Sequence, residues 1–283
     1  MNSPPVSCSG EPGRTGALRI EGADFPWWLA VTATGAVVVA AIIAASGTYQ
    51  QVFAIVTKGI GVTVFVSLVA YALACAIGLL VALMALSGSL ILRQAARFYV
   101  EIIRGIPMLV LLFWIAFAGV PVLVIALNWV AAPLRGAGLV DDLMVRDVSL
   151  LSRAVLALTI GYSAFIAEIF RAGIQSVDPG QTDAARSLGL TRLQCFRLVI
   201  FPQAIRIILP PLGNDFVAMV KDSSLVSVLG VADITQMGKL YAAGTFRFFE
   251  TYSIVAYVYL LLTLGLSLAL RGLEHRLRKK GRR

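Results

Sequence analysis

Apolar runs long enough to cross a lipid bilayer constrain this chain more than any other feature. They occupy Phe25–Ser46, about Gly59–Leu86, Phe98–Trp129, Leu150–Phe170, Pro202–Val220 and Tyr252–Leu270. A spanning helix needs about 20 such residues. The expected fold class is therefore all-α, a polytopic transmembrane helical bundle of about six spans. Composition agrees: 59% of the residues are hydrophobic and 14% charged, against about 45–50% and about 25% in soluble domains.

The cations give an orientation. The C-terminal "RGLEHRLRKKGRR" belongs on the cytoplasmic side by the positive-inside bias. Counting back through six spans places the N-terminus, the 87–97 loop and the 172–200 loop on that side too, with Arg93, Arg97, Arg186, Arg192 and Arg197. Lys58, Arg135, Arg146, Lys239 and Arg247 fall on the other side, partly offset by Asp141, Asp142 and Asp147. The formal net charge of +9 is thus a membrane-topology signal, and no stacking-aromatic module points to nucleic acid.

Residues 1–25, rich in Ser, Pro and Gly, read as a mobile cytoplasmic tail. Residues 26–47 read as an extra N-terminal transmembrane helix, opened by Pro26, Trp27 and Trp28. Its apolar core exceeds the usual 7–15 residues of a signal peptide, which favours an uncleaved span. Residues 272–283 form a basic cytoplasmic tail.

Several chemistries lack their residues. Cys8, Cys75 and Cys195 are widely spaced, without metal-ligand or disulfide patterning. His275, the single histidine, lies in the basic tail, so no catalytic or metal site is expected. No Gly-x4-Gly-Lys-Ser/Thr phosphate loop occurs, so an energy source must come from another chain.

Residues 178–202 break the pattern, being basic and amphipathic between two apolar runs. Asp178 is a good N-cap, Pro179 suits the first helical position and Gln181 stands three after the cap. Gly189 is a natural left-handed stop; Thr191 then opens a second short helix, and Pro202 marks the start of the next span. Such a bent helix pair suits an interfacial element resting on headgroups or a rigid knob offered to a cytoplasmic protein.

Ionisable residues near spans are candidates for function because burying them is costly. Glu101 with Arg104, and Glu168 with Arg171, are spaced for ion pairs one turn apart that serve structure or an interface. Asn214, Asp215 and Lys221 follow an interruption at Pro210, Pro211 and Gly213. They read as a translocation-path lining or as packing around a proline kink.

The 183–202 segment resembles the cytoplasmic EAA loop of ABC-importer permease subunits. Asp183, Ala184, Ala185, Gly189, Val199, Phe201 and Pro202 stand at the motif's positions; Asp replaces Glu, Val replaces Ile and Phe replaces Leu. The flanks "AEIFRAGIQSVDPGQTDAARSLGL", "PQAIRIILPPLGNDF", "VKDSSLVSVLGV" and "YVEIIRGIPMLV" are similar to polar amino-acid permeases of the histidine/glutamine/arginine/glutamate type. The likeness runs from about residue 55 to the end.

The resemblance implies an ABC type I importer permease-like domain over 55–271 with its EAA coupling loop at 178–202. Asp183, Ala184, Ala185, Gly189, Val199 and Pro202 would form the joint to an ATPase. It further implies two copies of an ATP-binding ABC subunit holding ATP and Mg, a second permease chain (homo- or heterodimer), an extracytoplasmic solute-binding protein and an amino-acid substrate. This chain would bind no cofactor and sit in a bacterial inner membrane with both termini cytoplasmic. An ion-gradient-driven secondary transporter is the alternative, needing no such knob.

Overall fold

The computed structural model describes residues 27–133 and 141–280. The expected tail over 1–25 and Arg135 of the polar loop lie outside the described residues. Among those described the chain is helical throughout: α1 (Trp27–Ala45), α2 (Gly47–Val56), α3 (Ile60–Ala85), α4 (Leu90–Gly105), α5 (Met108–Trp114), α6 (Val120–Val130), α7 (Leu150–Gln175), α8 (Pro179–Ser187), α9 (Arg192–Cys195), α10 (Phe201–Asp222), α11 (Ile234–Thr245) and α12 (Phe248–Lys280). Five stretches are long and apolar enough to cross a membrane: Gly47–Ala85, Met108–Val130, Leu150–Gln175, Arg192–Leu229 and Phe248–Leu273. The first expected span corresponds to α1, shorter than these five and packed on α12, where the Tyr257 hydroxyl donates to the Ala36 carbonyl at 3.1 Å.

At the centre, α3 and α7 pack side by side. Small residues permit the approach: a Cβ on Gly78 would lie 2.9 Å from the Ser163 carbonyl oxygen, and on the face of α7 toward α5 one on Gly161 would meet the Met108 thioether. Within lipid, close packing of this kind replaces hydrophobic burial as the force between helices. Val66, Ala70, Ala74, Leu112, Leu158 and Met219 fill the shared interior. Many large side chains on the outer faces, such as Leu80, Val122 and Ile125, remain exposed, as a lipid-facing surface requires.

Three sequence expectations need correction. The third span does not begin at Phe98. Arg93 and Arg97 sit on the amphipathic α4 rather than in a loop, and the chain breaks at Ile106 (φ −99°, ψ 130°) before Pro107. Proline drives its predecessor out of the helical region. Pro202 likewise does not open a separate helix. The turn Phe196–Ile200 is a π-turn that runs α9 directly into α10, and its wider winding accommodates a proline that has no N–H to donate. Pro210 and Pro211 lie inside α10 without interrupting it; the carbonyls four residues earlier lose their donors, yet the packing of α3, α7 and α12 around the helix keeps it in register.

Residues 223–247, which hold Lys239 and Arg247 between the fifth and sixth expected spans, read from the sequence as a mixed loop or a re-entrant stretch. They form a 3-10 stretch (Ser223–Leu229), a left-handed Gly230 and α11. Asp233 starts α11 and is fully buried. Its carboxylate accepts from the backbone N–H groups of Gln236 (2.8 Å) and Thr235 (3.2 Å) and from the Tyr259 hydroxyl (3.1 Å). Burial pushes this carboxyl upward from the usual range, and those donors oppose it. The sequence carried a signal here too, since Gln236 stands three residues after Asp233 as in other helix starts. The final helix also outruns the expected Leu270, continuing to Lys280 through most of the basic tail.

Candidate functional site

The elbow at 178–202 is built by local chemistry. Asp178 Oδ1 accepts from the Gly180 N–H at 2.7 Å, and Pro179 opens α8 without an orphan donor. At the other end the chain turns through Gly189 at φ +82°. The Leu190 N–H reaches the Ala185 carbonyl at 3.2 Å and the Gly189 N–H the Arg186 carbonyl at 2.9 Å. This paired capping is a Schellman motif. Two residues later Thr191 starts α9 in a reciprocal capping box with Gln194, whose Oε1 accepts the Thr191 N–H at 2.9 Å.

Packing makes the bend rigid. Ala185 and Cys195 are buried where α8 meets α9, with the Cys195 thiol 3.9 Å from the Thr182 carbonyl. Gln203 donates to Gln181 at 2.5 Å and to the Val199 carbonyl at 2.9 Å, tying the base of α10 to α8. The outer face carries Ala184, Leu188 and, beyond the bend, Leu193; the leucines are 82% and 76% exposed. The two alanines therefore differ: Ala184 faces outward, whereas Ala185 holds the elbow together. Asp183 is exposed and lies 3.8 Å from Arg186, and Pro202 is exposed near the start of α10.

The two charge pairs also diverge. Glu168 and Arg171 are joined at 2.6 Å, and Arg171 continues to Gln175 at 2.5 Å. Glu101 makes no salt bridge among the described residues; Arg104 instead lies over the Phe165 ring, 5.5 Å from its centroid.

Asn214, Asp215 and Lys221 do not form one constellation. Asn214 and Lys221, two turns apart, share an exposed face of α10. Asp215 turns toward α3 and α7, and its Oδ2 is buried with no hydrogen-bond partner. One more heptad along the same face, Asp222 accepts from the Tyr162 hydroxyl at 2.9 Å. Tyr71 of α3 lies beside Phe216, ring centroids 4.9 Å apart, and donates to the Leu212 carbonyl at 2.6 Å. The interior polar group is thus Tyr71, Tyr162, Asp215 and Asp222. Sequence reading missed three of the four. Asp222 sits next to Lys221 and was readable as intramembrane charge, but nothing local distinguishes the two tyrosines from ordinary packing aromatics. Either carboxylate can receive an ammonium group, each separately, since a heptad sets them about 10 Å apart along the helix.

The profile of the family described as "Binding-protein-dependent transport system inner membrane component" matches residues 74–279. The glutamine transport system permease protein GlnP of Escherichia coli (strain K12) is 37% identical over 221 residues, covering 78% of this chain and 92% of that protein. The probable glutamine ABC transporter permease protein GlnM of Bacillus subtilis (strain 168) is 39% identical over 228 residues, covering 80% and 95%. Among solved structures, an amino acid ABC transporter with histidines superposes with a TM-score of 0.65 at 39% identity, covering 81% of this chain and 95% of that one. The MetNI methionine ABC transporter in an inward-facing conformation shares the fold, with a TM-score of 0.62 at 19% identity, covering 82% and 99%.

Proposed function

Since the chain belongs to the family of binding-protein-dependent transport system inner membrane components, we propose that it is the membrane-spanning permease of an ATP-binding-cassette importer carrying polar amino acids into the cell. Family membership disfavours the ion-gradient-driven alternative. The chain is a multi-pass inner-membrane protein, and both termini face the cytoplasm in this reading. ATP and Mg are held by two copies of a partner ATPase. A second permease chain, identical or related, completes the pathway, and a solute-binding protein delivers the substrate.

One observation carries the coupling role: a capped, internally tied elbow presents Ala184 and Leu188 outward at the end of α7. A docking knob must keep its shape under load, and this one is fixed by packing behind the exposed face. With Cys8, Cys75 and Cys195 replaced, Ala184→Cys is expected to crosslink to the ATPase subunit in purified complexes, and Ala185→Cys is not. Equal capture from both positions, or capture from neither, counts against the docking face.

The interior carboxylates supply the substrate contact. Every amino acid brings an ammonium group, and charged side chains kept within spans mark transport paths. Asp215 and Asp222, on one face of α10, would receive it, while Asn214 and Lys221 line the exposed face. Asp215→Asn and Asp222→Asn are each expected to reduce amino-acid uptake about tenfold, the cost of one weakened charged hydrogen bond, with ATPase capture at Ala184→Cys unchanged. Wild-type uptake in both variants would remove the carboxylates from the path.

A further inference from the structure

The helix α4 and the segment that follows it meet at a joint seated on the central core through Ile103, Ile106 and Met108. Gly105 ends α4 and a Cβ there would meet nothing within 4 Å. Ile106 is extended, and α5 begins only after Pro107. Beside the apolar packing of Ala96 and Val100 on Ala167, two polar side chains tie α4 to α7. The Tyr99 hydroxyl lies 2.5 Å from Ser163 Oγ and 3.2 Å from the Ile160 carbonyl, about a turn and a half before the joint. Arg104, immediately beside the joint, stacks its guanidinium on Phe165.

From Phe165 a polar row descends the same side of α7. Glu168, within electrostatic reach of Arg104, is gripped by the Arg171 guanidinium through Nε at 3.1 Å to each carboxylate oxygen and through Nη2 at 2.6 Å. Arg171 then holds Gln175, the last residue of α7. Asp178, three residues on, caps α8. The end of α7 is itself seated against α10, where a Cβ on Gly173 would overlap the Ile208 side chain at 2.2 Å. The lower end of α7 is thus packed on the helix that leaves the elbow.

We propose that Arg104 is a positioning residue for transport: seated on Phe165, it passes the displacement of α7 to the joint at Ile106–Pro107. The inference rests on the importer reading above. A planar guanidinium suits the task because it keeps its contact with a ring face while the ring slides beneath it. Glu101, one turn before, stays exposed and is not needed to hold Arg104.

The test uses the full chain reconstituted in liposomes with its ATPase and solute-binding partners and supplied with a radiolabelled amino-acid mixture. Arg104→Gln and Phe165→Leu are each expected to lower the amino acid carried per ATP hydrolysed about tenfold, the scale of coupling through such a contact, while hydrolysis continues. The double variant should be no worse than either single one, since both remove the same interaction. Arg104→Lys, which keeps the cation over the ring, should restore part of the ratio. A purely structural role would instead reduce uptake and hydrolysis together at an unchanged ratio, and that result overturns the proposal.

A second measurement needs no partner. Spin labels at Ile102, an exposed residue of α4 between the Tyr99 tie and the joint, and at Ala172 of α7 should give a narrow distance distribution in the lone chain and a broader one in Arg104→Gln. An unchanged distribution also overturns the proposal. Failure of the unaltered chain to capture an ATPase or carry any amino acid would instead count against the importer reading, and the label measurement still judges Arg104.

Discussion

Gly189→Val is expected to abolish uptake while leaving the chain inserted in the membrane at its normal level. The residue holds φ +82°, which a β-branched side chain enters only at a cost of about 1–2 kcal/mol or more. No neighbour lies within 4 Å of a Cβ built there, so the penalty is conformational and the spans are untouched. Losing the left-handed residue removes the two capping bonds from Leu190 and Gly189, which shifts α8 relative to α9 and misplaces the outward face. A graded series checks the mechanism. Gly189→Asn should keep most activity, because asparagine tolerates this region. Gly189→Asp tolerates it as well but sets a charge on the outward face, and should uncouple transport. Uptake assays beside membrane immunoblots read both quantities; full uptake by the valine variant would mean the bend transmits nothing.

Gly59→Ala should prevent stable folding, against the ordinary rule for glycine near a helix. In a helix interior the change usually stabilises by about 1 kcal/mol. Here the new Cβ would lie 2.4 Å from the Asp233 carbonyl carbon and the Ile234 nitrogen. That backbone cannot yield. The Asp233 N–H is bonded to the Val231 carbonyl at 2.8 Å, its carbonyl accepts from Met237 at 3.0 Å, and the Ile234 N–H is held by Thr63 Oγ at 3.2 Å. The buried carboxylate adds its bonds to Thr235, Gln236 and Tyr259. Displacing this knot exposes a buried carboxyl and separates α3 from α11, a loss above about 4 kcal/mol. The yield of monodisperse chain in detergent and its Tm provide the measurement. Gly61→Ala is the control, since a Cβ there meets nothing within 4 Å and should leave Tm unchanged or raise it. Equal behaviour of the two variants would contradict the close approach.

Both predictions concern glycines, yet they were legible to different degrees. Gly189 is visible in the sequence because its role is local: a helix ends, a left-handed residue follows, and Thr191 opens the next helix. Gly59 is invisible, because its partner lies more than 170 residues away at Asp233. The same contrast runs through the candidate site. The elbow could be read from caps and spacing, but its partition into an outward Ala184 and an inward Ala185 depends on where α9 and α10 fold back.

The amino-acid sequence by itself determined the membrane class, the approximate order of the apolar spans and the two-part elbow. Run length in lipid and helix capping are decided within a few residues of chain. Only the tertiary structure decided that Pro210 and Pro211 leave α10 whole, that Asp215 turns inward with Asp222 while Asn214 and Lys221 turn outward, and that Arg104 meets Phe165 instead of Glu101. Helical periodicity assigns residues to faces but does not say which face meets the core. That choice belongs to the packing of α3, α7 and α10 against one another, where small residues allow backbones to close and polar side chains find partners far away in the chain.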